Sequence, residues 1–564
     1  MFENNHLNII LVAASLLATP ASAQIAIPPG SDAGALQQRR IDDEQRRLEL
    51  ERQQRKPIAD PLRRDGPAAP TAKPAASAIS FLVKEIRFTP SDIFTADELG
   101  VITQHYINQK VTYAGLQLLV EHINAEYRKR GIATAQAMLP PQDVTSGVIQ
   151  IRLVEGRVGD IRIEGNTSTR ESYITSRIGL SAHKLVDLQQ FEDDLKLFNR
   201  ANDIQLRADL KPGAYAGTTD ILLSVIEPPR HNLRLTLDNS GSKSTGRERA
   251  GLMYTNRSVL GFRDDVSLSA TRADGLKSYS ASYGVPVNSM GGRIQFAYYK
   301  DNTVIKHGAL APLAITSEST AKILTYRQPL LYGENMQLEG TAAIKRRDSE
   351  TRSSGVLLQD TGTSDMNIGL DYQRTDNSGM WSATYNAIRG SATARLSGVT
   401  TDYFIGRGSL RRTQEFNDKW SFRGAFTMQH TGDQSLPSSE QFIIGGDGSV
   451  RGFPVGAYAG DHGITVNAEL HHPLGPLGRL GAAEHPLHLA ATGMFFVDFG
   501  RVSPYRPPGS ALRNYNEISS AGWGLNYTLG KRVYGRIVYG YAISGLPPDN
   551  SRSTVHFQLV AQLL

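Results

Sequence analysis

The sequence predicts an all-β transmembrane barrel of about 16 antiparallel strands, preceded by two small α+β units and a charged N-terminal helix. Three observations carry this reading. After Pro228-Pro229 the chain becomes a long series of ~10-residue segments in which apolar and polar side chains alternate, separated by Gly, Asn, Asp and Ser turns. Before that point one β-α-α-β-β order occurs twice, with a period of about 75 residues. At the start, an apolar run from Leu7 to Ala18 leads into Ala21-Ser22-Ala23, an export-cleavage pattern.

Composition bounds the alternatives. The chain has 564 residues, room for several domains, and no cysteine, which fits an oxidising compartment. Hydrophobic residues make up 40% and the mean hydropathy is −0.31. After residue 18 no apolar run approaches the ~20 residues a membrane helix needs, so a helical membrane protein is excluded. A strand barrel is not excluded, because it hides its apolar residues at every second position. The net charge of +6 is mild for this length. No basic block with interleaved aromatics occurs, so nucleic acid is not an expected partner.

Residues 1–23 read as a secretory signal peptide, although its first residues carry Glu3 and His6 and no Lys or Arg. Residues 24–56 form the charged N-terminal segment. Within it, residues 37–56 hold 12 charged side chains in 20 positions, with no Pro or Gly. Asp42/Arg46, Asp43/Arg47 and Glu51/Arg55 stand four apart, each pair worth ~0.2–0.5 kcal/mol to a helix. Ile41 and Leu48 are too few for a core-facing stripe. A helix polar on all sides needs water or a polar cavity around it. Residues 57–78, rich in Pro and Ala, read as a semi-extended tether.

Residues 79–156 are the first α+β unit. Phe81–Phe88 reads as a strand, and Thr95-Ala96-Asp97-Glu98 is a capping box that starts a helix. Leu116, Leu119, Val120, Ile123 and Tyr127 make the apolar face of a second helix, stopped by Gly131. Strands follow near Thr134–Leu139 and Val148–Val154. Residues 157–228 repeat the order. There is a strand at Asp160–Glu164 and a short helix at Thr169–Ile178. A second helix is marked by Leu188, Phe191, Leu195 and Phe198, and strands follow at Ile204–Leu210 and Asp220–Ile226. Neither unit has a catalytic pattern. Such sheets offer edges where an extended polypeptide can dock; a plain spacer is the competing reading.

Residues 229–564 are the barrel. Leu233, Leu235 and Leu237 alternate with Arg234, Thr236 and Asp238, and Val555, Phe557, Leu559, Ala561 and Leu563 face one way along the last strand. At ~20 residues per strand and connection this length gives about 16 strands, wide enough for an aqueous lumen. One stretch fits no strand: Gly445-Gly446-Asp447-Gly448-Ser449-Val450-Arg451-Gly452-Phe453, running on to Gly463. Its glycines let a hairpin enter tight conformations and approach a wall closely. If it folds into the lumen, Arg451 needs an anion. Asp498, mid-strand between Phe496 and Gly500, can face inward and pair with it bidentately. An exposed Arg in an outer loop and a solvated Asp on the lumen wall remain the other reading.

Two further motifs are set aside. Gly241-Ser242-Lys243-Ser244-Thr245 lacks the glycine before Lys of a phosphate-binding loop and reads as the polar turn of the first hairpin. His471-His472 and Asp461-His462 lack metal-ligand spacing, and no nucleophile–base arrangement appears, so neither an enzyme nor a metal or cofactor is expected.

Nearly all of the mature chain resembles the two-partner secretion transporters (TpsB proteins, haemolysin/haemagglutinin-exporter-like) of the Omp85 superfamily. The resemblance rests on Leu436-Pro437-Ser438-Ser439-Glu440-Gln441-Phe442 with Gly445-Gly446 and Ser449–Phe453, similar to that family's sixth extracellular loop. It rests also on Phe496-x-Asp498-x-Gly500, similar to a lumen-facing strand motif. Pro141-Gln142-Asp143 through Val154-Glu155-Gly156 and Leu210-Lys211-Pro212-Gly213 resemble the ends of two POTRA domains. The resemblance implies a 16-stranded outer-membrane barrel whose periplasmic POTRA domains receive an unfolded exoprotein (adhesin, haemolysin or contact-dependent toxin). It implies that Val450, Arg451, Gly452 and Phe453 form an inward-folded loop 6 (about 441–463), held by Arg451 on Asp498. The charged helix, with Arg39, Arg40, Arg46, Arg47 and Arg52, would plug the lumen. No nucleotide is implied; folding of the exoprotein outside would give direction. Outer-membrane lipids and the barrel-assembly machinery would be further partners, the latter with Phe557 near the end of a chain that closes on Leu564. A barrel insertase and a passive porin are the competing functions. Two POTRA units with a charged helix favour the exporter over the first, and a porin needs no periplasmic repeats.

Overall fold

The structure, a computed structural model, describes residues 32–53, 58, 60–64, 80–130, 135–180, 184, 188–214, 218–333, 335–416, 419–432, 434–480, 487–505, 515–547 and 550–564. The signal peptide lies outside these residues, as does most of the Pro/Ala tether.

Sixteen strands, from His231–Asp238 to Ser553–Gln562, pair antiparallel with their sequence neighbours into one closed barrel. Closure runs through Arg234↔Gln562, Thr236↔Val560 and Asp238↔Gln558. Closing the sheet removes the edges that lipid could not hydrogen-bond. The alternation falls as the sequence predicts: Leu237, Leu268, Val555 and Phe557 are exposed on the outer wall, and His556 and Val560 are buried. Gly241–Thr245 lies in the turn between the first two strands.

The two α+β units pack separate cores. In the first, Leu116, Leu119, Ile123 and Tyr127 of helix Tyr113–Lys129 cover the sheet with Ile149, Ile151 and Leu153. The Thr95–Glu98 capping box forms as expected. One expectation is corrected: Phe81–Phe88 is not a single strand. Ser80–Val83 pairs with Gln109–Thr112, a strand the pattern does not reveal, while Glu85–Phe88 pairs parallel with Val148–Val154. In the second unit Leu188, Phe191, Leu195 and Phe198 pack on Ile204, Leu206, Ile221 and Leu223.

The tether is also corrected. Leu62–Arg64, inside the segment read as linker, is a strand paired parallel with Gln205–Pro212 at the edge of the second unit's sheet. Leu62 is buried in that unit's core, and the Pro61 carbonyl accepts from Ala208 N at 2.8 Å.

The second unit sits on the barrel turns nearest it. The Arg263 guanidinium pairs with Asp203 (Nε to Oδ1, 2.9 Å), and Arg170 N donates to Gly261 O at 2.9 Å. Arg177 Nη2 donates to Asn288 O at 3.0 Å. These contacts fix one barrel mouth as the side of the α+β units. Counting loops at the other mouth, the sixth runs from the end of Ser421–Thr431 to the start of His462–Leu480. The expected span, 441–463, is corrected at both ends: the loop starts earlier, and Gly463 belongs to the next barrel strand.

Candidate functional site in the barrel lumen

The sixth loop folds into the lumen. It carries a short hairpin, Phe442–Ile444 against Tyr458–Gly460, and the Gly-rich tip between them. Gly445 (φ 101°) and Gly446 (φ 93°) turn the chain in the left-handed region that side chains resist. Gly446 N then donates to Phe453 O at 3.0 Å, closing the tip on itself.

Arg451 and Asp498 come together at the wall. Arg451 Nε donates to Asp498 Oδ2 at 2.9 Å and Nη2 to Oδ1 at 2.6 Å, a bidentate pair. The Arg451 backbone N–H also donates to Oδ2, at 3.0 Å. Both side chains are shut off from solvent, at 3% and 0% exposure. A buried ion pair needs its remaining groups satisfied, and here they are. Arg451 Nη1 pairs with Glu469, and its guanidinium carbon lies 3.7 Å from the Phe496 ring centroid. Asn467 Nδ2 donates to Asp498 Oδ1 at 2.7 Å, and His556 Nε2 contacts Arg451 O at 2.8 Å.

The other motif residues have packing roles. Val450 and Phe453 are fully buried with Ile444, Val502, Ile518 and Ala542, pinning the tip to the wall. Gly500 leaves room for Val450, whose Cγ2 would stand 2.8 Å from a Cβ there. Sequence reasoning missed Glu469, Asn467, Ser520 and His556. They lie on other strands and reach the pair only through register, as in Asn467↔Asp498 and Asp498↔Ser520.

The charged helix spans Ala33–Gln53 and lies inside the barrel. Asp32 caps it, its Oδ1 accepting from Ala35 N at 2.7 Å. Arg40 pairs with Asp301 of the wall at 2.8 Å, and Arg46 Nη1 donates to Gly448 O of the loop tip at 3.3 Å. Arg47 bonds Glu51 at 3.1 Å and the Met253 sulfur at 3.2 Å, and Arg39 faces Asp43 at 3.9 Å. Arg52 is in the helix, with its side chain outside the described residues. Two expectations are corrected. Asp42 takes Gln38, at 2.7 Å, instead of Arg46, and Arg47 pairs forward with Glu51 instead of back to Asp43. Ile41 does find an apolar contact, with Ala297, Tyr299, Ala321 and Ile323 of the wall. The helix keeps four-apart pairs of its own, Arg39–Asp43 and Arg47–Glu51, in a register other than the one the sequence suggests, while Arg40 and Arg46 turn to the wall and the loop tip.

A second buried ion cluster, unread in the sequence, joins helix, loop and wall. Glu440 of the loop is fully buried and receives Lys345 at 2.8 Å and Arg347 at 2.7 Å. Arg347 Nε also donates to Gln37 Oε1 at 3.1 Å, and Lys345 Nζ to Gln38 Oε1 at 3.1 Å. Gln37 Nε2 in turn donates to Asp301 Oδ2 at 2.7 Å. The helix and the loop therefore share their anchors on the wall.

Comparisons with known proteins agree with this architecture. Residues 217–527 match the family described as haemolysin secretion/activation protein ShlB/FhaC/HecB, and residues 81–156 match the ShlB-type POTRA domain. The outer membrane transporter CdiB of Dickeya dadantii is 25% identical over 506 residues, covering 85% of this chain and 87% of the relative. The haemolysin transporter protein ShlB of Serratia marcescens is 24% identical over 506 residues, covering 85% and 84%. Among solved structures, CdiB from Escherichia coli superposes with a TM-score of 0.62 at 20% identity, over 95% of this chain and 99% of that one. BamA from Haemophilus ducreyi lacking POTRA domains 1–3 gives 0.52 at 14% identity, over 86% and 100%.

Proposed function

Because the chain belongs to the haemolysin secretion/activation family ShlB/FhaC/HecB, we infer that it carries one secreted partner protein across the outer membrane. The first α+β unit is a ShlB-type POTRA domain, the second repeats its order and is read as another, both on the periplasmic side, and the barrel is the pore.

The observation that supports a gated exporter best is the double occupancy of the lumen. A wide barrel encloses a pore, and here that pore holds a charged helix and an inward loop, both seated on wall charges. On our reading this is the resting state. The POTRA domains take the unfolded exoprotein, the helix leaves the lumen, and the loop stays anchored through Arg451 and Asp498. Folding outside gives direction without nucleotide hydrolysis, so the chain is read as a transporter and not an enzyme. The likeness to BamA, at 14% identity, is one of fold alone and does not choose between an exporter and a barrel insertase. The sequence matches favour the exporter.

The test compares culture supernatants and outer-membrane proteins with and without the gene, in cells expressing the exoprotein. Loss of one large secreted polypeptide with the membrane profile intact is the expected result. Broad loss of barrel proteins would point to an insertase, and no change in either would overturn the exporter.

A further inference from the structure

Outside the lumen, the lipid-facing wall carries a feature that transport does not use. On neighbouring strands the outward row changes from apolar to charged at one level. Leu324 gives way to Lys322, Ile344 to Arg346, and Phe404 to Asp402. Lys322 stands beside Arg346, and Arg346 beside Ser364. Arg389 projects one rung lower, beside Met366. The cations border an open hollow of about 590 Å³ whose apolar side is formed by Phe296, Leu324, Ile344 and Met366.

Three properties mark this patch. The first is charge. Lys322, Arg346 and Arg389 have no ion pair or hydrogen bond among the described residues, whereas two cations closer to the loops on the same side are matched, Lys300 with Glu318 (2.7 Å) and Arg395 with Asp360 (2.7 Å). On the outer face three cations meet one exposed carboxylate, Asp402, since Asp365 is buried and paired with Lys345. The second is height. Arg346 lies ten residues above Met336, where its strand begins at the periplasmic mouth. At ~3.3 Å per residue and a tilt near 40° that is about 25 Å, the height of the apolar band of such barrels. The cations therefore stand at the outer-leaflet boundary, where a charge costs little. The third is shape: a hollow bordered by exposed cations on one side and by apolar side chains on the other matches a lipid with an anionic head and several chains.

We propose that this face binds a phosphorylated glycolipid of the outer leaflet, its phosphates on Lys322, Arg346 and Arg389 and an acyl chain in the hollow. A free anion would have no use for the hollow, and a zwitterionic lipid would leave the cations unmatched. The site rests on the outer-membrane reading of the barrel, which fractionation of the wild-type protein checks separately.

The test is native mass spectrometry of the full chain in detergent, titrated with bis-phosphorylated lipid A. The wild type is compared with the triple variant Lys322→Gln/Arg346→Gln/Arg389→Gln, with heat-modifiable gel mobility reporting that each barrel is closed. The control variant is Arg374→Gln, an exposed cation at the periplasmic rim beside Met336 on the neighbouring strand. We expect at least ten-fold weaker binding for the triple variant and no change for the control. Dephosphorylated lipid A should bind both proteins alike, and inorganic phosphate should not compete. Equal lipid A binding by wild type and triple variant would overturn the site. So would an equal loss in the control, or competition by inorganic phosphate.

Discussion

Gly452 and Gly540 press backbone on backbone where the sixth loop meets the barrel wall. A Cβ on Gly452 would stand 2.7 Å from Ser520 Cβ and 2.9 Å from Ala542 N, and one on Gly540 would stand 2.7 Å from the Arg451 carbonyl carbon. Rigid strand backbone cannot yield, and overpacking of this kind costs ~1–3 kcal/mol. Gly452→Ala and Gly540→Ala should each lift the loop tip, lower secretion several-fold, and leave the barrel inserted. Protease access to the loop in intact outer membranes checks this; a loop as protected as in the wild type would contradict it.

Arg451→Ala should do more. Removing one member of a buried, hydrogen-bonded pair costs ~3–5 kcal/mol, because the other charge is left stranded. Secretion should fall at least ten-fold with normal amounts of inserted barrel. A charge swap, Arg451→Asp with Asp498→Arg, should show coupling but incomplete rescue, since an Asp at position 451 meets Glu469. Strictly additive effects in the double-mutant cycle would argue against the contact.

Glu440 makes the seat of the helix testable apart from that anchor. Glu440→Gln strips Arg347 of its carboxylate while preserving shape. Charge-assisted hydrogen bonds are worth ~1.5–3 kcal/mol, so the open fraction in planar bilayers should rise about ten-fold or more. Deleting residues 31–56 should give the open conductance outright. A deletion variant with wild-type conductance would remove the plug from the mechanism.

The first POTRA domain carries a pH signature. The Thr95 backbone N–H and the Arg130 guanidinium hold the Glu98 carboxyl down at about 2. A carboxyl lowered in the folded state stabilises above its ordinary pKa near 4.5, and that contribution is lost as pH falls towards about 2. The Glu98→Gln variant should therefore melt below the wild type at pH 7, with the gap closing between pH 4.5 and 2. A gap that does not change with pH would place its cause elsewhere.

Much of this was legible in the chain because the signals are local. Alternation along Val555–Leu563 depends on one strand's own residues, and so does the Thr95–Glu98 box. The residues alone left the Arg451–Asp498 pair open against an exposed Arg and a solvated Asp, and only the family resemblance implied the contact, because the two are 47 positions apart and meet through the fold. Glu440, Lys345 and Arg347 gave no local signal. Each looks like an ordinary polar residue until loop, helix and wall come together. The strand at Leu62–Arg64 is three residues long, and only the second POTRA edge makes it a strand.

That edge sets the reach of the helix we propose as the plug. Leu62–Arg64 fastens the tether to the second POTRA domain, leaving eight residues, 54–61, between strand and helix end. Eight residues span at most ~30 Å, about the length of the helix itself at 1.5 Å per residue. A plug fixed there stays within one helix length of the mouth and competes with cargo. Arg63 and Asp209 are register partners with neither side chain buried, and the protein has no cysteine of its own. Arg63→Cys with Asp209→Cys should therefore form one defined staple. Oxidised, it should lower secretion several-fold, and a reductant should restore it, with each single-cysteine variant secreting normally. Full secretion through the oxidised staple would mean that the helix clears the pore without releasing this strand.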